Sequence, residues 1–483
     1  MQIKKLASLC AVACAAMAAS SAHAALSAAA IADLDAANTA GRVIFISGAS
    51  AVQKGFTDII AATFTGTPIY YSVQGGGKSV KVTDADFVAV SGTLASGTGT
   101  WAGQKAIIIY RVKGGSVWGV NPVARNTAIE SMLATSGACG ATGAGTAASP
   151  YSCGTTSLVP DAGVSDVAPK LFQAPVNTEG EVAAEALNEA ELADLTATAI
   201  YGLSFGVPVT NTVSSSLNLN KATVAAIMTG NVGTWDQVGD AAGGDIVICR
   251  RVPGSGTQAV YNMWAGNFPC GSANVPADRD ASAAWDPVAR TYTLDIAAPT
   301  GGLVVVENST SSNVRDCLNA AVAGGSYSTS DRDGNPVTVT FTGAGHKAIG
   351  TLSMDSLKDS KTSGNWQFRS LNGAGKIVQD TAGVAPTTTG TGTFPTFATY
   401  ENGDWDLQGW ISFNVPSRTT GAKAAVLAKF VENAQNPAKL QLISDLKFVA
   451  AGIPGGLYSG QYVLDAAYLN GDQCAPYNRN YND

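Results

Sequence analysis

Arg251-Val252-Pro253-Gly254-Ser255-Gly256-Thr257 lies between an apolar run, Asp245-Ile246-Val247-Ile248-Cys249, and a stretch from Gln258 to Ala265 with helical spacing. A strand that turns through Gly-Ser-Gly into a helix leaves backbone N–H groups unpaired at the helix start. Those donors and the helix dipole favour a negative charge. Ser255 and Thr257 add hydroxyls, and Arg251 adds a planar, permanently charged fork. In a chain with 54 glycines a Gly-Ser-Gly turn is common by chance, so the weight of the segment comes from Arg251 and from the strand-to-helix setting.

Three further apolar runs end in small, polar or charged residues. Val43-Ile44-Phe45-Ile46 leads to Ser47-Gly48-Ala49-Ser50-Ala51 and a helical stretch from Val52 to Phe64. Ala106 to Tyr110 leads to Gly114-Gly115-Ser116 and a predicted helix from Ala124 to Leu133. Ala162-Gly163-Val164 leads to Ser165-Asp166. Downstream, helices are predicted over Glu179–Leu195, Asn220–Met228, Asn313–Ala323, Ala422–Asn433 and Pro437–Ile443. Strands are predicted at Leu303–Val306, Lys347–Leu352 and Trp410–Val415, with an extended crossing segment over Tyr201–Val209. Strands alternating with helices define an α/β chain whose sheets are covered on both faces. In such sheets ligands collect beyond the carboxyl ends of strands, where all four of these loops lie.

The 483 residues suffice for two lobes with their own cores. Lys4-Lys5, the apolar Leu6–Ala18 and Ala22-His23-Ala24 have the order of a secretory leader, which predicts a mature chain from Ala25 and an exported, periplasmic or extracellular location. Six of the eight cysteines follow the leader: Cys139, Cys153, Cys249, Cys270, Cys317 and Cys474. An even number in an exported chain predicts disulfides. Cys139 and Cys153 flank a Gly/Ala/Thr/Ser-rich loop and are expected to pair. Three pairings stay open for the other four. No two of the six have CxxC spacing, so neither a metal site nor another cofactor is expected. The formal net charge is −7, and loss of Lys4 and Lys5 makes the mature chain more acidic, which excludes the basic surface that a nucleic-acid partner requires.

These loops, in this order, resemble those of the type II periplasmic binding proteins, and most closely the phosphate-binding proteins of ABC uptake systems. The Arg-x-x-Gly-Ser-Gly-Thr run, Arg251 to Thr257, matches that family's anion loop at each defining position. Ser47–Val52, Gly115–Val120 and Val164-Ser165-Asp166 resemble its other three loops. Leu219 to Trp235 resembles the helix-and-Trp segment before the Arg loop, and Ala348-Ile349-Gly350 resembles a later strand. The resemblance covers most of the mature chain, with insertions near 65–104, 136–158, 268–300 and 360–400. It implies a two-lobed fold of mixed sheets flanked by helices, with a hinged ligand cleft. After the leader at 1–24, residues 25–205 and 355–483 would form the first lobe and 206–354 the second.

The site implied comprises Ser50, Ala51, Ser116, Asp166, Arg251, Ser255, Gly256 and Thr257. Asp166 would accept a proton from a protonated oxyanion. The implied protein is a monomeric, non-enzymatic receptor that captures phosphate or a related oxyanion for an ABC transporter membrane complex. Trp118 departs from the family's usual small residue and is expected to narrow the pocket or stack on a larger ligand. Taken singly, the residues have ordinary readings: Asp166 as a helix cap, Ser50 and Ser116 as turn residues, Trp235 as core. Two other functions compete. A hydrolase would need a base, and His346 is the one histidine after the leader. An adhesion or assembly protein would retain the fold without transport, which the Gly/Thr-rich insertions favour.

Overall fold

The structure is a computed structural model. It describes residues 26–73, 80–140, 142–174, 176–178, 186–271, 276–279, 283–357, 359, 363–371, 376–377, 393–394, 405–443, 446, 450–451, 466–468, 473–474 and 477–479. The expected leader, most of the 360–400 insertion and residues 179–185 of the helix expected at Glu179–Leu195 lie outside them.

Val43–Gly48 is buried along almost its whole length and lies parallel to Lys105–Arg111 on one side and to Ala162–Ser165 on the other. Its residues alternate between two cores, as the two-residue repeat of a strand demands. Ile44 and Ile46 join Ile108, Tyr110 and Val164 on one face, while Phe45 joins Ile107 and Ile109 on the other. The helix Ala28–Thr39 contributes Ala30, Leu34 and Ala37 to the second of these cores. The helices Gln53–Ala61 and Gly421–Ala434 cover the first. There Phe56 lies 4.5 Å from Tyr110 and 4.8 Å from Phe430, measured between ring centres.

This twelve-stranded sheet runs Leu352–Ser353, Leu195–Gly206, Gln408–Pro416, Ala162–Ser165, Val43–Gly48, Lys105–Arg111, Phe87–Leu94, Phe64–Val73, Tyr151–Leu158, Ile129–Leu133, with two short strands beside it. A second sheet has the order Val304–Asn308, Val247–Arg251, Ala348–Gly350, Pro208–Thr210, Trp366–Phe368. Val247–Arg251 is parallel to both its neighbours there. The chain passes between the sheets at Gly206-Val207-Pro208 and again at Gly350-Thr351-Leu352. These crossings run side by side and antiparallel, with Leu352 opposite Gly206 and Val209 opposite Ile349. A pair of adjacent strands shared by two lobes is the geometry of a hinge.

Several elements depart from the sequence reading. After Leu352–Ser353 joins the first sheet the chain visits the second once more, where Trp366–Phe368 pairs with Pro208–Thr210, so the stretch after residue 355 is not confined to the first lobe. The helix expected over Ala124–Leu133 is instead a single turn, Asn121–Ala124, followed by the strand Ile129–Leu133. Asn126 takes a positive φ of 54°, which ends the helix, and Ile129 and Met132 are buried while Glu130 faces water. The 136–158 insertion is not merely surface loop: Tyr151–Leu158 adds a strand to the sheet, and Cys139 is bonded to Cys153 within it. Within Glu179–Leu195 only Glu189–Ala193 is described as helix, started by a reciprocal Asn188–Glu191 capping box. The 268–300 insertion contributes Trp285–Asp286 and Thr291–Asp295 to a separate four-stranded sheet with Pro336–Thr342 and Gly325–Ser330.

Candidate functional site

The parallel register of the first sheet brings its three loops together. Ser47 lies opposite Arg111 and Gly163, so the strand ends that precede Ser50, Ser116 and Asp166 stand side by side. Ser50, Ala51 and Val52 form a buried 3₁₀ turn, and Ser116 opens another. In the second sheet, Val247–Arg251 delivers Arg251 and turns through Gly254 (φ +85°) into the helix Gly256–Gly266. That turn faces the three loops of the first sheet.

The contact between the lobes is tight. The Val117 N–H donates to the Gly254 carbonyl at 2.9 Å. A Cβ at Gly256 would lie 2.2 Å from Ser116 Oγ, and one at Gly115 would lie 2.5 Å from the Gly254 oxygen, so only glycine permits this approach. Arg251 is 1% exposed. Its Nη1 donates to Ser50 Oγ of the first lobe at 3.1 Å and to Ser311 Oγ of the second at 3.2 Å. Its Nη2 donates to the Gly114 carbonyl at 3.4 Å and the Ser309 carbonyl at 2.6 Å, and its Nε to the Asn308 carbonyl at 3.2 Å. All the donors of the guanidinium fork are thus engaged, two of them across the cleft.

Asp166 occupies the mouth of the Gly256 helix. The Thr257 hydroxyl donates to Asp166 Oδ2 at 2.8 Å, and the Asp166 N–H donates to Ser116 Oγ at 3.2 Å. Asp166 Oδ1 is buried with no hydrogen-bond partner. Burial pushes the Asp166 carboxyl up to about 6, against the hydroxyl and amide of Thr257, the Arg251 charge and the Ser116 hydroxyl, which hold it down. The carboxylate therefore sits where the helix start and Arg251 would attract an external anion. Ser255 caps its own helix by accepting from the Gln258 N–H at 3.3 Å. The Ala51 carbonyl accepts from Ser353 Oγ at 3.1 Å, next to the hinge strand.

Of the residues singled out in the sequence, Ser50, Ser116, Asp166, Arg251, Gly256 and Thr257 converge directly, and Ala51 and Ser255 flank them. The Trp118 ring carries the Arg111 guanidinium, 4.2 Å from the ring centre. Asn308, which ends the strand Val304–Asn308, and Ser309 and Ser311, which follow it, hold Arg251 from behind and were not singled out in the sequence. Their signal was the same as that of the Arg loop, a strand passing into a capped helix, here Ser311–Ala323 with Thr310 as cap. Nor was Tyr201, whose buried hydroxyl has no hydrogen-bond partner and whose ionisation is opposed first by burial, then by the charges of Asp355 and Asp166.

His346 is not placed to serve Ser255. It precedes the strand Ala348–Gly350, whose first residue is level with Val247, at the opposite end of the sheet from Arg251. Four residues of strand separate Val247 from Arg251, roughly 13 Å. The His346 ring instead contacts the Thr342 carbonyl at 3.1 Å and packs edge-on to Phe341. A cavity of about 510 Å³ opens at this same far end, lined by Asp245, Val247, Leu294, Thr300, His346 and Lys347 among others. There Asp245 Oδ2 accepts from the Thr300 N–H at 2.7 Å, and Lys347 Nζ donates to Asp240 at 2.7 Å. Among the described residues no group of three or more His, Cys, Asp or Glu is placed to hold a metal ion.

The chain is thus a two-lobed α/β protein with a polar, interdigitated seam between its lobes. Its fold is similar to that of a Clostridium perfringens protein provisionally described as a phosphate ABC transporter substrate-binding protein, solved with bound phosphate. The two are 11% identical, the match covers 84% of this chain and 98% of that one, and the TM-score is 0.40. It is also similar to PstS from Borrelia burgdorferi, at 11% identity over 84% of this chain and 98% of that one, TM-score 0.35. A phosphate-binding protein from Stenotrophomonas maltophilia is 12% identical over 89% of this chain and 86% of that one, TM-score 0.35. No family model matches the sequence, and no curated protein matches it.

Proposed function

We propose that the chain is an exported solute-binding protein that captures a small oxyanion, phosphate first, between its lobes and passes it to an ABC uptake system without bond chemistry. One observation carries this reading. Arg251 and a helix start from one sheet meet Ser50, Ser116 and Asp166 from the other, and Asp166 Oδ1 is buried there without a hydrogen-bond donor. A protonated oxyanion answers each demand. Its charged oxygens take the Arg251 donors now given to Ser50 and Gly114, together with the helix-start N–H groups and the Thr257 hydroxyl. Its own O–H donates to Asp166. An anion with no proton meets the carboxylate as a like charge and is rejected.

The leader-like residues 1–24 support export, and no described helix is long and apolar enough to cross a membrane. The proposed lobes are 25–205 with the return segment to 483, and 206–354 extended to include Trp366–Phe368. Titration calorimetry on the mature chain tests the reading. Phosphate and arsenate should bind one to one and sulfate should not; absence of heat with phosphate, arsenate, sulfate and molybdate would refute it.

The interlocked loops favour one second reading. Arg251 is engaged by protein groups, and the lobes meet with no spacing at Gly115 and Gly256, which suits a protein that keeps the closed fold for assembly or adhesion. That reading predicts oligomers by sizing and no response to any oxyanion.

A further inference from the structure

The helix Gly256–Gly266 belongs to the second lobe through Arg251, yet its length is fastened to the first lobe and to the hinge. The Tyr261 hydroxyl donates to the Gly206 carbonyl and accepts from the Leu352 N–H at 3.3 Å, one on each crossing. Asn262 Nδ2 donates to Asn177 Oδ1 at 2.9 Å, and Trp264 Nε1 donates to Asp406 Oδ1 at 2.7 Å. Just beyond the helix, Cys270 is bonded to Cys474, 204 residues away in sequence.

The residue before Cys474 is seated in the first lobe. Gln473 is 4% exposed; its Oε1 accepts from the Ala168 N–H at 2.8 Å and its Nε2 donates to the Trp410 carbonyl at 3.3 Å. Ala168 is two residues from Asp166, and Trp410 belongs to the strand Gln408–Pro416. One sulfur of this bond therefore lies four residues beyond the end of the site helix that Arg251 leads into, and the other next to Gln473, which is anchored in the first lobe beside the site. The other two disulfides stay within a lobe: Cys139–Cys153 joins neighbouring strands of the first sheet, and Cys249–Cys317 ties a strand of the second sheet to the helix Ser311–Ala323.

We propose that Cys270–Cys474 is a covalent latch across the cleft, which limits how far the lobes open and so slows exchange of the Arg251–Asp166 site with solvent. Swinging the lobes apart at the crossings separates Asp166 from Thr257. It also pulls the far end of the helix from Gln473, and the disulfide resists that. Without the bond only non-covalent contacts oppose opening. The inference rests on the two-lobed reading and needs no ligand.

The test is hydrogen–deuterium exchange on the oxidised mature chain, the double variant C270S/C474S and the control C249S/C317S, each at the same interval below its own melting temperature. The readout is the Val117 amide, bonded across the cleft to Gly254, with the core strand Val43–Gly48 as internal reference. C270S/C474S is expected to exchange at Val117 at least tenfold faster than wild type with the reference unchanged, while the control matches wild type at both. Equal Val117 rates in wild type and C270S/C474S would overturn the latch, as would equal acceleration in the control. Should C270S/C474S not fold, Gln473→Ala loosens the anchor with the disulfide intact; it should raise Val117 exchange, and wild-type rates would again overturn the proposal. Because no anion is added, a failure here leaves oxyanion binding standing, and a failure of oxyanion binding leaves the latch standing.

Discussion

Arg250 and Arg251 are neighbours on one strand and live in opposite worlds. Alternation sends them to opposite faces of the sheet. Arg250 lies opposite Glu307 in the register and donates to its Oε1 at 2.8 Å. Arg332 also pairs with Glu307, Arg279 reaches it at 3.5 Å, and Asp331 pairs in turn with Arg279 and Arg290. The positive charges around Glu307 outweigh its burial and hold its carboxyl below the usual range. Arg251, one residue on, spends its donors on hydroxyls and carbonyls, and the carboxyl nearest the same focus, Asp166, is raised to about 6. A carboxyl pushed down is a structural partner whose charge is fully answered. One pushed up by burial in a cleft marks a candidate functional group.

The largest expected effect breaks the first of these regions. Glu307→Ala leaves Arg250, Arg279 and Arg332 facing one another and should cost about 3–5 kcal/mol in denaturant unfolding, the usual penalty for stranding buried charge. Arg251→Ala should leave the fold standing but lower phosphate affinity at least 100-fold, about 2.8 kcal/mol by calorimetry.

Asp166→Asn should move stability the other way. A carboxyl that titrates near 6 when folded, against 3.8 as its reference, binds protons more tightly in the folded chain. Its contribution is fully present below pH 3.8 and lost as pH rises through 6, a penalty of order 3 kcal/mol at neutral pH. The asparagine variant should therefore be more stable than wild type at pH 7.5 by part of that amount and equal to it near pH 4. Glu307 has the opposite sign: its lowered carboxyl stabilises above about pH 4.5, and that support is lost as pH falls through its folded value. Melting curves from pH 3 to 8 separate the two slopes. The smallest effect concerns Trp118: removing its face from Arg111 in Trp118→Ala should cost about 1 kcal/mol of stability and leave oxyanion affinity unchanged, whereas a weakened affinity would return Trp118 to the site.

The parallel strands were legible because each is a short apolar run ending in small polar residues, and the Arg251–Thr257 segment was legible because strand, turn and helix start are contiguous in it. What periodicity could not show was tertiary choice. Ile129–Leu133 has residues compatible with a helix, and becomes a strand because Tyr151–Leu158 offers it an edge. Trp366–Phe368 reads equally well on either lobe, and only its pairing with Pro208–Thr210 assigns it. Ser309 and Ser311 reach Arg251 from about sixty positions away, and although they too lie where a strand passes into a capped helix, nothing local ties that passage to Arg251. The division of labour between Arg250 and Arg251 was equally hidden, since identical side chains acquire different roles from the faces they occupy.

The focus at Arg251, Thr257 and Asp166 stands or falls as an oxyanion site by its response to phosphate. Titrating phosphate into the oxidised mature chain at pH 7.5 by calorimetry tests it most directly. An oxyanion site gives saturable one-to-one binding that sulfate does not reproduce and that Arg251→Ala weakens at least 100-fold; no binding of phosphate to the folded wild-type chain, or binding unchanged in Arg251→Ala, would rule the site out.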